Sequence, residues 1–254
     1  MKKLLIIALL LTSLLGACTQ AKKETTLKVL VSADYPPYES YDVNGKLVGF
    51  DIEFGNALAE KLGVKFEWVD TSFDGILGAI QANTADMAIS GMHISAEREE
   101  AADMSISYKQ DAESGSAFTV YALASKGWTS IADLNGKIGS TQLGTVQESA
   151  LNMMKDEYNL TLDIRNKFDV IVQEILLGRI DFMVADKAAG DEFMTQYPEL
   201  TSFPLNYAGL ASISGIGVLM PTGSEWVSKV NAAIEAMKAD GSLQALVDKW
   251  FPEE

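Results

Sequence analysis

Residues 73–90 read FDGILGAIQANTADMAIS, and residues 168–185 read FDVIVQEILLGRIDFMVA. In the first, Phe73, Ile76, Leu77 and Ile80 recur at helical spacing, and the apolar run Met87–Ser90 follows. In the second, Asp169–Leu177 has the helical pattern and Ile180–Ala185 the run. A helical period giving way to a short apolar run predicts a helix and then a buried strand. Phe73-Asp74 precedes Asp86 as Phe168-Asp169 precedes Asp181, twelve positions from Asp to Asp in both. Coincidence between two α/β units is the plainer alternative; two similar lobes is the reading adopted.

Outward from these stretches, the first half predicts strands at Leu27–Val31 and Val64–Val69 around a helix. Phe50, Phe54, Ala57, Leu58 and Leu62 share one face of that helix, and Gly63 stops it. The second half predicts a helix over Thr145–Lys155 and a strand over Leu162–Arg165. Gly215–Val218 follows as a strand. The chain then ends in two helices, one striped by Val227, Val230, Ile234 and Met237 and one by Leu243, Leu246 and Trp250. The expected fold class is α/β in two lobes, and 254 residues, 48% of them apolar, can bury two cores of that size. Trp68, Trp128, Trp226 and Trp250 are expected to be structural.

Charge and cysteine usage narrow the function. Twenty Lys and Arg against 35 Asp and Glu leave a formal charge of −15, which opposes attraction to nucleic-acid phosphates and anionic membranes. One cysteine and one histidine preclude an intramolecular disulfide framework and the common zinc sites. Lys2 and Lys3 precede an apolar run from Leu4 that is short for a bilayer span, followed by Leu15-Gly16-Ala17-Cys18. This resembles a bacterial lipobox. It implies a signal peptide over 1–17, a lipid on Cys18 and a flexible stalk over 18–26, against the plainer alternative of an ordinary signal peptide with an incidental cysteine.

Three local patterns carry candidate chemistry. Ser95 is placed to cap a helix with Arg98 at its third position, so that a guanidinium fork sits beside free helical N–H groups, a pattern suited to a carboxylate. In Gln142-Leu143-Gly144-Thr145, the glycine allows close backbone approach and Thr145 offers a hydroxyl and an amide to an anion. Asp186 ends a buried strand at the carboxyl edge where open α/β sheets bind ligands, and a carboxylate there suits an ammonium group. Each has a plainer local reading: a surface arginine offset by Glu97, Glu99 and Glu100, a simple N-cap at Thr145, a helix cap at Asp186. Together they match a zwitterionic α-amino acid. No nucleophile–base pair, phosphate loop or metal-ligand spacing is evident, and no cofactor is expected.

At these residues the chain resembles the family 3 extracellular solute-binding proteins, the amino-acid-binding components of ABC importers. The resemblance runs from Leu27 to Phe251. It rests on Asp34-Tyr35-Pro36-Pro37-Tyr38-Glu39, Gly49-Phe50-Asp51-Ile52-Glu53, Ala85–Met92 with Glu97-Arg98, Gln142–Thr145, and Lys238–Leu243. It implies a type II periplasmic-binding-protein-like fold, with lobe 1 over 27–112 and 217–254 and lobe 2 over 113–216, joined by two crossing strands. It also implies that Arg98 and Thr145 hold the ligand carboxylate beside Ser90 and Gly91. Asp186 and the Ser90 carbonyl would take the ammonium, with Tyr35 and Phe73 sandwiching the side chain. The implied partners are an ABC permease and its ATPase, with the protein a monomer on the outer face of a bacterial membrane.

Departures from the family pattern bear on the site. His93 stands where Thr or Ser is usual, Ala96 where Pro is frequent, and Met104-Ser105-Ile106-Ser107-Tyr108 lacks a proline, which suggests a longer or looser first crossing strand. His93 is either a neutral replacement at the rim or an imidazolium beside the ligand carboxylate, with affinity then rising as pH falls from about 8 to 6. Glu39 and Asp34 beside the aromatic wall favour arginine or another cationic amino acid; glutamine or another neutral polar amino acid is the alternative. A non-catalytic importer component is the leading class. A dehydratase-like enzyme on the same fold and a ligand-sensing partner of a receptor are the competitors.

Overall fold

The computed structural model describes residues 24–110, 118–207 and 215–252. The expected signal peptide over 1–17, the expected lipidation site Cys18 and most of the expected stalk lie outside the described residues, as does the expected lobe boundary at 112–113. At the far end of the expected stalk, Thr26 already opens the first strand.

The chain runs β1 (Thr26–Val31), β2 (Ser40–Tyr41), β3 (Leu47–Val48), α1 (Phe50–Leu62), β4 (Lys65–Asp70), α2 (Phe73–Gln81), β5 (Met87–Ala88), α3 (Ala96–Ala101) and β6 (Asp103–Met104). A second series follows: β7 (Phe118–Leu123), β8 (Ile138–Ser140), α4 (Val146–Met154), β9 (Thr161–Leu162), α5 (Phe168–Leu176), β10 (Phe182–Asp186), α6 (Lys187–Gln196) and β11 (Leu200–Pro204). The chain then returns as β12 (Leu219–Met220) and ends in α7 (Trp226–Ala239) and α8 (Ser242–Trp250).

Two five-stranded sheets result, ordered β4-β1-β5-β12-β6 and β11-β7-β10-β8-β9. Read from opposite ends, they have the same plan. In each, three parallel strands (β4, β1, β5 and β9, β8, β10) are extended by two strands that pair antiparallel. The repeated aspartates do the same work in both. The Asp86 carboxylate accepts the Lys28 N–H at 2.7 Å and its own N–H reaches the Lys28 carbonyl. The Asp181 carboxylate accepts the Ile138 N–H at 3.0 Å and its N–H reaches the Ile138 carbonyl. Each aspartate fixes the register of the central parallel pair where its strand begins.

The predicted helical stripes are buried at their centres, while Ala57, Leu62, Leu77, Val227, Leu246 and Trp250 are partly buried. Phe50, Phe54 and Leu58 on α1, Ile76 and Ile80 on α2, and Ile171, Val172 and Ile175 on α5 have no exposed surface, each contributing roughly 1.5–3 kcal/mol on burial. Gly63 ends α1 in the left-handed conformation, φ 67°, and its N–H bonds the Glu60 carbonyl. Among the described residues no helix is long and apolar enough to cross a membrane.

Several predicted strands differ: β5 takes only Met87–Ala88 of the run expected over Met87–Ser90, and β10 starts at Phe182 in the run expected from Ile180. The run expected over Leu162–Arg165 forms β9 at its start only; Arg165 makes an isolated bridge to Gln142. The strand expected over Gly215–Val218 is displaced to Leu219–Met220, while Ile216 bridges both His93 and Lys109. Ile216 lies between two passing segments, so its backbone groups are shared between them and no continuous ladder forms there.

Candidate functional site

Lobe 1 supplies one wall from three segments. After β1 the chain turns tightly, with the Tyr35 N–H bonding the Glu39 carbonyl at 2.8 Å, so Tyr35 and Glu39 sit side by side. Beyond β5, the Ser90 hydroxyl donates to Glu39 Oε1 at 2.9 Å and accepts the Ser32 N–H at 2.9 Å. Gly91 is left-handed, φ 53°, and turns its N–H onto Asp51 Oδ2 at 2.6 Å. Ser95 caps α3 through the Arg98 N–H, which places Arg98 at the expected third position. The guanidinium is buried, lies 5.5 Å over the Phe73 ring, and donates through Nη1 to the His93 carbonyl at 2.7 Å. Burial lowers its pKa to about 10, with Glu97 and Asp186 opposing, so it keeps its charge at neutral pH.

Lobe 2 supplies the other wall. Thr145 caps α4, accepting the Glu148 N–H at 3.2 Å and donating to the Gln142 carbonyl at 2.6 Å. Asp186 ends β10; its Oδ1 accepts from Gln147 Nε2 at 2.9 Å, and its backbone N–H donates to the Tyr35 hydroxyl of lobe 1 at 2.9 Å. Arg98 Nη2 crosses in the other direction to the Gly144 carbonyl at 3.3 Å. Gly144, at φ 79°, permits this approach: a Cβ there would lie 3.1 Å from Asp74 Cα.

Every ligand-binding position expected from the sequence lines one cavity between these walls: Tyr35, Glu39, Phe73, Ser90, Gly91, His93, Arg98, Thr145 and Asp186. The walls leave about 10 Å³ for water centres, room for about one water. That volume is too small for an amino acid. One end presents the Arg98 fork and the start of α4, suited to an anion; the other presents Asp186, suited to a cation.

Four details differ from expectation. Tyr35 stacks on Phe168, 4.7 Å between ring centres, whereas Phe73 lies under Arg98, and all three rings line the cavity. The His93 imidazole points to Asp186, Nε2 to Oδ1 3.4 Å, with its edge against Phe118; only its backbone carbonyl meets Arg98. It thus adjoins the expected ammonium acceptor, away from the carboxylate fork. Asp34 is drawn off the cavity wall by Gln142 Nε2 at 2.9 Å and by the Ser32 hydroxyl at 3.0 Å. Glu39 is buried, and its carboxyl is pushed well above the usual range, first by burial and then by the adjacent Asp51.

Phe168, Gln142 and Gln147 also line the cavity without a role assigned from sequence. The internal repeat carried a signal for Phe168, which opens α5 as Phe73 opens α2. Gln147 had none: a glutamine in the first turn of a helix is ordinarily solvated, and only the fold buries this one.

Known proteins share this fold. The chain is 31% identical over its whole length, and over the whole of the relative, to the arginine-binding extracellular protein ArtP of Bacillus subtilis strain 168. An ancestral arginine-binding protein solved with arginine superposes with a TM-score of 0.81 at 33% identity, covering 90% of this chain and 99% of its own. The structure of an ancestral arginine-binding protein bound to glutamine gives 0.80 at 33% identity, covering 91% and 99%. The model of the bacterial extracellular solute-binding proteins, family 3, matches residues 27–253, and the chain belongs to that family.

Proposed function

We propose that this protein captures a free amino acid with a cationic side chain, arginine foremost, and delivers it to an ABC importer by closure of its two lobes. The observation that carries this is the opposition of charges across one cavity. Arg98 and the start of α4 face Asp186 at the backbone end, and Glu39 stands beside Tyr35 for the side chain. Ligand bridging both walls stabilises the closed form by its differential affinity, and that form engages the permease. In this proposal the lobes comprise 27–112 with 217–254, and 113–216; the protein is tethered as a monomer through Cys18 to the outer face of the membrane; and it binds without turnover. Glutamine or another neutral polar amino acid is the second reading. It is supported by the raised Glu39 carboxyl and by the relative solved with glutamine.

A thermal-shift screen of refolded, ligand-free protein against the twenty amino acids, ornithine, citrulline and cystine tests this. Binding at a hundred times the dissociation constant adds about 2.7 kcal/mol. The expected result is a shift with arginine, ornithine and lysine. A shift with a neutral amino acid alone would replace the ligand and keep the function. No shift with any of them would refute amino-acid capture.

A further inference from the structure

Glu39 and Asp51 are adjacent buried carboxyls, 1% and 0% exposed, with Glu39 on the cavity wall and Asp51 behind it. Their surroundings are unequal. Asp51 accepts two fixed donors, the Gly91 N–H at 2.6 Å and the Tyr108 hydroxyl at 2.9 Å. Glu39 has one, the Ser90 hydroxyl on Oε1, and its Oε2 has no hydrogen-bond donor among the described residues. Consecutive residues hold the two carboxyls, the Ser90 hydroxyl on Glu39 and the Gly91 N–H on Asp51, so each lies within the field of the other. Two carboxylates cannot both stay ionised side by side in so dry a site. The donors hold the negative charge on Asp51, which leaves the proton on Glu39.

The other charged neighbours act in the same direction. Lys109, whose ammonium lies 4.3 Å over the Phe251 ring, favours the charge on Asp51, and Asp34 opposes a charge on Glu39. Arg98, His93 and Asp186 line the same cavity. We propose that the Glu39–Asp51 pair holds one shared proton, which Glu39 keeps when the cavity takes an uncharged side chain and releases to solvent when it takes a cationic one. One wall then serves two ligand classes: as a carboxylic acid towards an amide or urea, and as a carboxylate towards a guanidinium or ammonium. Burial is the first cause raising both groups, and Asp51 is pushed up to about 6. The inference rests on the reading that the ligand side chain ends at Glu39.

The linkage has a definite sign. A cation that binds by expelling a proton binds more tightly as pH rises, by up to tenfold per unit while Glu39 is protonated in the ligand-free protein. Arginine and citrulline differ in side-chain charge at nearly equal shape. Their affinity ratio therefore cancels whatever Arg98, His93 and Asp186 contribute at the shared backbone end.

The experiment is titration calorimetry of the purified protein with arginine and with citrulline from pH 5 to 8, in two buffers of different ionisation enthalpy. The expected result is release of close to one proton with arginine at pH 5–6, close to none with citrulline, and an arginine-to-citrulline ratio that climbs with pH. Glu39→Gln should flatten that ratio; if the variant does not fold, the proton count on the unaltered protein decides alone. Arginine binding without proton release, or no cation binding even at pH 8 where a neutral amino acid binds, overturns the shared proton and leaves amino-acid capture standing. Failure of every amino acid to bind overturns the functional reading, and this inference with it.

Discussion

Tyr35→Phe removes one oxygen and leaves the ring on Phe168. In the closed protein that oxygen accepts the buried Asp186 backbone N–H at 2.9 Å, from the opposite lobe. Burial, and then the nearby Asp186 charge, push the phenol far above its ordinary pKa, so it remains a neutral hydroxyl throughout the working range. When the lobes part, water serves both groups. When they close in the variant, the N–H loses its acceptor, which costs about 1–3 kcal/mol. That cost falls on closure alone, so ligand affinity should weaken about 5–150-fold. The melting temperature of the ligand-free protein should move by less than the roughly 2–4 °C that 1 kcal/mol within the fold would produce. Titration calorimetry paired with thermal unfolding separates the two. Affinity unchanged within about twofold, or a ligand-free melting temperature that drops in proportion to the lost bond, would refute a hydrogen bond that acts at closure.

Two further outcomes follow from the same geometry. Gly144→Ala places a methyl in a left-handed position, φ 79°, about 1–2 kcal/mol in strain, and 3.1 Å from Asp74 Cα across the cleft. Gly136→Ala has the same handedness, φ 73°, with open space around it. Both should lower the melting temperature and only Gly144→Ala should also weaken ligand binding; equal binding losses would contradict this. The pH dependence of stability has a sign set by buried carboxyls. Asp34, Glu39 and Asp51 are all raised, burial being the largest cause, so the folded chain holds protons more tightly than the unfolded chain. That contribution is complete below about pH 4 and fades as pH rises through about 6 for Asp51. The lowered carboxyls, Asp42, Glu53, Asp133 and Asp240, act only on the acid side of this window. The ligand-free melting temperature should therefore fall from pH 5 to 8, less steeply in Asp51→Asn, and a rise over that range would count against the buried pair.

What was legible in the sequence was what neighbouring residues decide. Phe50, Phe54 and Leu58 declare a helix because their spacing leaves one face to bury, and Gly63 ends it because a left-handed residue is needed there. Ser95 and Arg98, three apart, specify a capped turn that needs no distant partner. The Asp86 and Asp181 spacings show that two units share a plan, since each aspartate must reach the start of its parallel neighbour. By contrast, β12 lies four positions beyond its expected start because Ile216 divides its backbone between His93 and Lys109, segments more than a hundred residues upstream. No local pattern encodes that division.

The same distinction governs the site. Most of its lining was legible because those residues are marked by their own turn, cap or strand end; Gln147 was not, and neither were the pairings, because those form between lobes. Tyr35 meets Phe168, Asp34 meets Gln142, and His93 meets Asp186, each joining residues well separated along the chain. The groups that local sequence marks as ligand-facing are also the groups that hold the closed lobes together. Arg98 spends one donor on Gly144, and the Asp186 N–H is engaged by Tyr35, each across the lobes. A ligand therefore has to do more than fit between the walls. It must replace part of this cross-lobe network with contacts that are stronger in the closed form than in the open one, because only that difference shifts the balance towards closure. On the proposed reading a zwitterion meets the requirement where a simple anion or cation does not: its carboxylate and ammonium would engage Arg98 and Asp186 together, and neither charge would be left buried without its counterpart.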